Sequence, residues 1–343
     1  MSRSLRLLLS HAGAIFLIAL AACASPRTSV TAVTAASTRG DPLPSWNDGE
    51  VKGAILDYLD RVSTPGSADF VPVDERIAVF DNDGTLWQEK PLVEGAFTIA
   101  RLREMAERDP ALRHAEPFAS ALTGDLPEGR KAILELATRT HTGMTDEAYE
   151  AYVRAFLASA RHPRFGVPYT SLTYAPMMEL LRLLRARGFT VYLSSAGDVD
   201  FMRVFADALY GVPKERVIGS RFDKKLVTID RRSTFMRLPA IETVNDGATK
   251  PDGIDRRVGR RPIFAAGNEG NAGDIEMLEY TRDAARPSMA LVIKHDDAIR
   301  ETAYSEKDGA TPAAALSHDF RVVSMKRDWN TVFAASDASA AEK

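Results

Sequence analysis

Residues 76–87 read RIAVFDNDGTLW. The first five are dominated by β-branched, aromatic and small apolar side chains, and Asp81-Asn82-Asp83-Gly84 follows at once as turn material. That is the pattern of a short buried strand delivering a polar loop. Similar runs recur at 189–195 (FTVYLSS), 262–267 (PIFAAG) and 288–295 (SMALVIKH), with helix-patterned stretches at 176–187, 250–259 and 275–281 among them. Strand and helix alternate, which predicts an α/β, Rossmann-like doubly wound parallel sheet covered on both faces.

The stretch between the first two strands differs. Residues 94–108, 117–122, 129–138 and 145–160 carry apolar side chains at three- and four-residue spacing, the mark of amphipathic helices. Inserted behind one strand of a parallel sheet, they predict a separate helical cap over the carboxyl edge, where open α/β sheets bind ligands. Residues 221–238 (RFDKKLVTIDRRSTFMRL) predict a β-hairpin at the side of the sheet.

The 343 residues hold 44 Lys and Arg against 47 Asp and Glu, a net charge of −3, so no basic field exists to hold nucleic acid through its phosphates. The single cysteine, Cys23, excludes an intramolecular disulfide framework and cysteine-based metal sites. It closes a charged front (Arg3, Arg6) and an uncharged run over 12–22 that is too short to span a bilayer. Leu20-Ala21-Ala22-Cys23 resembles the lipobox of bacterial lipoproteins. That resemblance implies a diacylated Cys23, attachment to a membrane through the lipid alone, and an exported protein facing the periplasm or cell exterior. The expected organisation is a signal peptide over 1–22, a disordered tether over 23–44 and a core domain from 45–88 and 170–335. The cap takes 89–169 and a disordered tail 336–343.

Asp81-Asn82-Asp83-Gly84-Thr85 behind a strand resembles the first motif of the haloacid dehalogenase superfamily. A calcium-binding EF-hand is excluded, because its glycine and glutamate positions hold Leu86 and Leu92. The superfamily's second motif, a strand-ending serine or threonine, is matched by Ser195, with Ser194 pointing to the other face. Its third, a lysine before a helix, is matched by Lys250, and its fourth, an acidic loop, by 267–274 (GNEGNAGD). The fourth departs from the pattern: Asn268 follows the first glycine where an acid is usual, six residues before Asp274. Glu269, five residues before Asp274, is expected to support it, with Asn268 and Asn271 competing. The helical insert is similar to the cap of the phosphoserine-phosphatase-like branch.

The resemblance implies a phosphatase. Asp81 would attack phosphorus and form an aspartyl-phosphate, and Asp83 would protonate the leaving alkoxide and then activate water. Ser195 and Lys250 would hold the equatorial oxygens. Mg2+ would rest on Asp81, the Asp83 carbonyl and Asp274, with Glu269 in support. Gly84, Thr85, Ala196, Gly197 and Glu89 are the expected contacts to a small phosphate ester. Trp87 and Glu89 are expected at the site mouth, and His114, His141 and His162 are further candidates near the insert. The competing reading is a catalytically weak lipoprotein of the same fold that serves as a binding or scaffold module. The oligomeric state is left open.

Overall fold

The computed structural model describes residues 40–124, 126–127, 129–270 and 273–333. Cys23, with the expected signal and tail segments, lies outside them. The ordered body begins before Ser45: Leu43, expected in the tether, is fully buried, and Asp41 pairs with Lys52 at 2.5 Å. An isolated leucine among small polar residues reads as linker until a pocket for it is known.

The elements follow in chain order. Helix α1 (Glu50–Ser63) leads to strand β1 (Ile77–Phe80). The insert holds α2 (Val93–Arg108), α3 (Phe118–Leu122), α4 (Arg130–His141) and α5 (Asp146–Ser159). Then come α6 (Ala175–Ala186), β2 (Thr190–Asp198), α7 (Val199–Arg203) and α8 (Ala206–Tyr210). The hairpin β3 (Val217–Ile229) and β4 (Arg232–Thr243) precedes α9 (Thr249–Val258), β5 (Phe264–Asn268) and α10 (Ile275–Arg282). Strand β6 (Met289–Lys294), α11 (Ala310–His318), β7 (Arg321–Ser324) and α12 (Met325–Asp328) close the chain.

The seven strands form one sheet in the order β4-β3-β2-β1-β5-β6-β7. Every pair is parallel except β3 with β4. Alternation within β1 explains why both faces are covered: Ala78 and Phe80 enter one apolar cluster, Ile77 and Val79 the other. After β1 the chain winds outward through β2 and β3, then returns to lay β5 on the opposite side of β1. The reversal opens a crevice at the carboxyl ends of β1 and β5, the usual ligand site of such sheets.

Two features differ from the expectation. Val217, Ile218 and Ser220, not expected as strand, pair in parallel with β2, while the hairpin that follows them stands at the edge of the sheet as expected. The insert is only partly separate. Phe97 of α2 packs on Phe201 of α7 at 5.4 Å between ring centroids, and Tyr149, Val153 and Leu157 of α5 join the main core. Only the outer part, around Leu102, Leu112, Ala121 and Leu136, keeps a small core of its own. Aromatic residues broke the expected boundary, because helical periodicity shows that a face is apolar and not what covers it.

Insert, core and hairpin are also joined by buried charge. Arg237 of β4, fully buried, donates to the His141 carbonyl at 2.6 Å and Asp200 at 2.5 Å, and pairs with Asp198 at the end of β2. Its guanidinium lies 3.9 Å over the Tyr149 ring, while Lys224 of β3 bridges Asp146 and Asp200 at 2.7 Å each.

Candidate active site

Asp81 is the first residue beyond β1, and its backbone N–H still donates to the Ala266 carbonyl of β5 at 2.9 Å, so the last rung of the ladder fixes where its carboxylate emerges. Lys250, in the first turn of α9, sends its ammonium to Asp81 Oδ1 at 2.8 Å and to Asp274 Oδ1. All three are at least nine-tenths buried. Asp274 precedes α10, and its other oxygen accepts the Asn268 N–H at 3.0 Å. Gly267 makes that approach possible: a Cβ there would come within 2.6 Å of the Asp274 carboxylate. Burial and the neighbouring Asp274 charge push the Asp81 carboxyl well up, against the pull of Lys250. The two carboxylates hold the lysine ammonium firmly charged despite its burial.

Asp83 is half-buried by area yet closely enclosed, and burial raises its carboxyl to about 7 although Trp87 Nε1 donates to it at 2.8 Å. Negative Glu89 and Glu94 nearby act in the same direction. Gly84 turns the loop at φ +72°, and a side chain there would collide with Asn268 Nδ2 and approach the Tyr304 hydroxyl within 2.7 Å.

A cavity of about 410 Å3 opens over these groups. Asp81, Asp83, Ser195, Ala196, Gly197, Lys250, Asp274 and Glu89 line it. Ser194 turns away and accepts from Asn245 Nδ2 at 3.1 Å, as the alternation of β2 requires. Gly84 and Thr85 do not line the cavity, a correction to their expected contact with substrate: Gly84 shapes the loop, and Thr85 is fully buried. Trp87 likewise stays below the mouth, fully buried and stacked on Phe205 at 4.5 Å.

Glu269 is the main correction. It is absent from the lining, its N–H pairs with the Ile293 carbonyl, and its charged neighbours are Lys294, Glu306, His295 and Asp296. Asn268 faces the site instead, donating through Nδ2 to Glu89 at 3.1 Å and to Tyr304 at 3.2 Å. Strand β5 runs on through Asn268, so consecutive side chains take opposite faces and Glu269 falls on the wrong one. Asn271 lies outside the described residues. None of the three candidate histidines lines the cavity. His162 serves a local turn and the Lys90 carbonyl at 3.0 Å, His114 is exposed, and buried His141 stands 3.3 Å from Glu94 Oε1.

Two supports escaped sequence reasoning. Glu94 accepts the Asp198 N–H at 3.1 and 3.2 Å beside Gly197, where a Cβ would come within 2.6 Å of it. His295 donates through Nε2 to the Gly84 carbonyl at 2.9 Å, backed by Glu301 at 3.3 Å and stacked on Tyr304 at 4.1 Å. His295 directly follows β6 at the carboxyl edge, a position that could have marked it.

A family model described as haloacid dehalogenase-like hydrolase matches residues 78–265. The chain belongs to that family. This hydrolase is also similar in fold to a conserved protein of unknown function from Anaerococcus prevotii DSM 20548, at 16% identity and TM-score 0.51, over 79% of this chain and 91% of that one. A protein of unknown function from Bordetella pertussis Tohama I matches at 16% identity and TM-score 0.47, over 73% of this chain and 98% of that one. A phosphoserine phosphohydrolase-like protein from Francisella tularensis subsp. tularensis SCHU S4 matches at 14% identity and TM-score 0.38, over 74% and 95%. No curated protein matches the chain significantly.

Proposed function

We propose that this hydrolase is a magnesium-dependent phosphomonoesterase that works through an aspartyl-phosphate on a small phosphate ester, in an exported protein held to a membrane by a lipid on Cys23. The observation that carries the catalytic reading is the buried Lys250 ammonium shared by Asp81 and Asp274 at the carboxyl edge of the sheet. The charge there is one positive group short: two carboxylates share one ammonium, and burial together with their repulsion raises Asp81. An all-oxygen donor set with surplus negative charge fits a hard divalent cation, which Asp81, the Asp83 carbonyl and Asp274 would hold. When bound, magnesium neutralises phosphate charge and keeps the nucleophile ionised.

The remaining work falls to the chain. An Asp81 carboxylate oxygen forms a bond to phosphorus as the bond to the leaving oxygen breaks, and Asp83 passes its proton to that oxygen. A pKa of about 7 leaves Asp83 substantially protonated for this step and able to take a proton from water in the next. Water then adds at phosphorus, the bond to Asp81 breaks, and inorganic phosphate leaves. Ser195 and Lys250 steady the equatorial oxygens throughout. A screen of phosphomonoesters with and without magnesium tests the reading. Asp81→Asn should lower turnover by at least about a thousandfold, because an amide is a poor nucleophile. Full activity in Asp81→Ala would overturn the mechanism, and absence of turnover across a broad panel would favour the scaffold reading.

A further inference from the structure

The cavity has two unlike halves. The end at Asp81 and Lys250 is polar, while Leu92, Leu126, Ile133 and Leu134 of the insert face the lining together with Phe222 and Ile241 of the hairpin. A leaving group that fills the cavity from a phosphate at Asp81 extends into that apolar half.

The carboxylates beside it are already engaged. Glu94 spends both oxygens on the Asp198 N–H and has His141 Nε2 at 3.3 Å. Glu89 accepts from Asn268 at 3.1 Å and Lys90 at 3.0 Å. Outside the insert, Asp246 also lines the cavity, in the turn leading into α9. On the insert side exposed Arg130 lines the cavity and makes no ion pair among the described residues. On the insert wall, among the described residues, an ammonium on the leaving group would meet apolar side chains, two carboxylates already hydrogen-bonded and a guanidinium.

We propose that the leaving group is an uncharged apolar alcohol, aliphatic or aromatic, seated between the insert and the hairpin. The inference rests on the phosphomonoesterase reading for its phosphate end, and the test separates the two. The probes are n-alkylphosphonates from methyl to hexyl, which bind without being cleaved, measured by calorimetry with magnesium chloride present. Affinity should rise about three- to fourfold per methylene until the chamber fills, the gain expected for burying each CH2. Leu134→Asn and Ile241→Asn, on opposite walls, should each flatten the series, and comparing slopes keeps any loss of folded protein out of the result. Propylphosphonate should bind more tightly than 2-aminoethylphosphonate, which has nearly the same size and carries an ammonium. A flat series, a preference for the ammonium compound, or no binding by any member overturns the proposal. A steep phosphonate series with no turnover of the matching alkyl phosphates would leave the apolar chamber standing and sink the phosphatase reading.

Discussion

The most exposed claim at the scale of single residues concerns Asp83, whose carboxyl burial raises from 3.8 to about 7. A native pKa above the unfolded one means that the folded protein holds an extra proton between those values, so the contribution to stability falls as pH rises from about 4 to 7 and is level beyond. Asp83→Asn, fixed in a neutral form, should therefore gain in Tm over the parent as pH rises through that window and keep the gain above it, measured in EDTA. In the proposed mechanism the same proton is the one delivered to the leaving group. Activity on esters of poor leaving groups should fall on the alkaline side of about pH 7, and Asp83→Asn should cost about 10²- to 10⁴-fold. An unchanged alkaline limb in the variant would remove Asp83 from the acid role. The positions of Asp81, Asp83, Ser195 and Lys250 at one cavity were readable because each is tied to a strand end or helix start. The supporting acid was not. Placing Glu269 by its distance from Asp274 ignored that β5 continues through Asn268, and strand alternation rather than residue count decides which side chain enters the site.

Among elements, the hairpin was the least legible. Its two strands could be read from their β-rich runs, but nothing in that pattern says that β3 enters the main sheet or that Arg237 is buried. An arginine in a polar hairpin ordinarily faces water. Here it joins β2, the insert and α7 by meeting Asp198, the His141 carbonyl and Asp200. Removing one partner of a buried pair strands the other charge, which costs about 3–5 kcal/mol, or roughly 10 °C in Tm for a chain of this class. Arg237→Met should show that loss. Adding Asp198→Asn should recover part of it, because the amide needs no counter-charge and can still accept the Asp200 N–H that the aspartate takes at 3.0 Å. A double variant no more stable than Arg237→Met would mean that Arg237 acts through packing on Tyr149 and Phe222 instead.

For the molecule as a whole, the testable matter is the proposed lipid attachment to a membrane. No helix among the described residues is long and apolar enough to cross one. Removal of residues 1–22 would take away Arg3 and Arg6 and no acid, leaving 42 basic and 47 acidic residues and a charge of −5. An anionic lipid surface would repel such a body rather than recruit it, so attachment would have to come from acyl chains alone. One chain binds marginally and two or more hold stably, since each buried methylene adds about 0.8 kcal/mol. Two outcomes follow that an electrostatic association could not give together. A high-salt wash should leave the protein on the membrane, because screening weakens no attraction that holds it. Cys23→Ser should abolish incorporation of a fatty-acid analogue and move the protein to the soluble fraction, with the proposed phosphatase activity per molecule unchanged, since Cys23 is not among the residues of the candidate active site. Labelling and membrane retention that survive Cys23→Ser would show that the anchor reading is wrong.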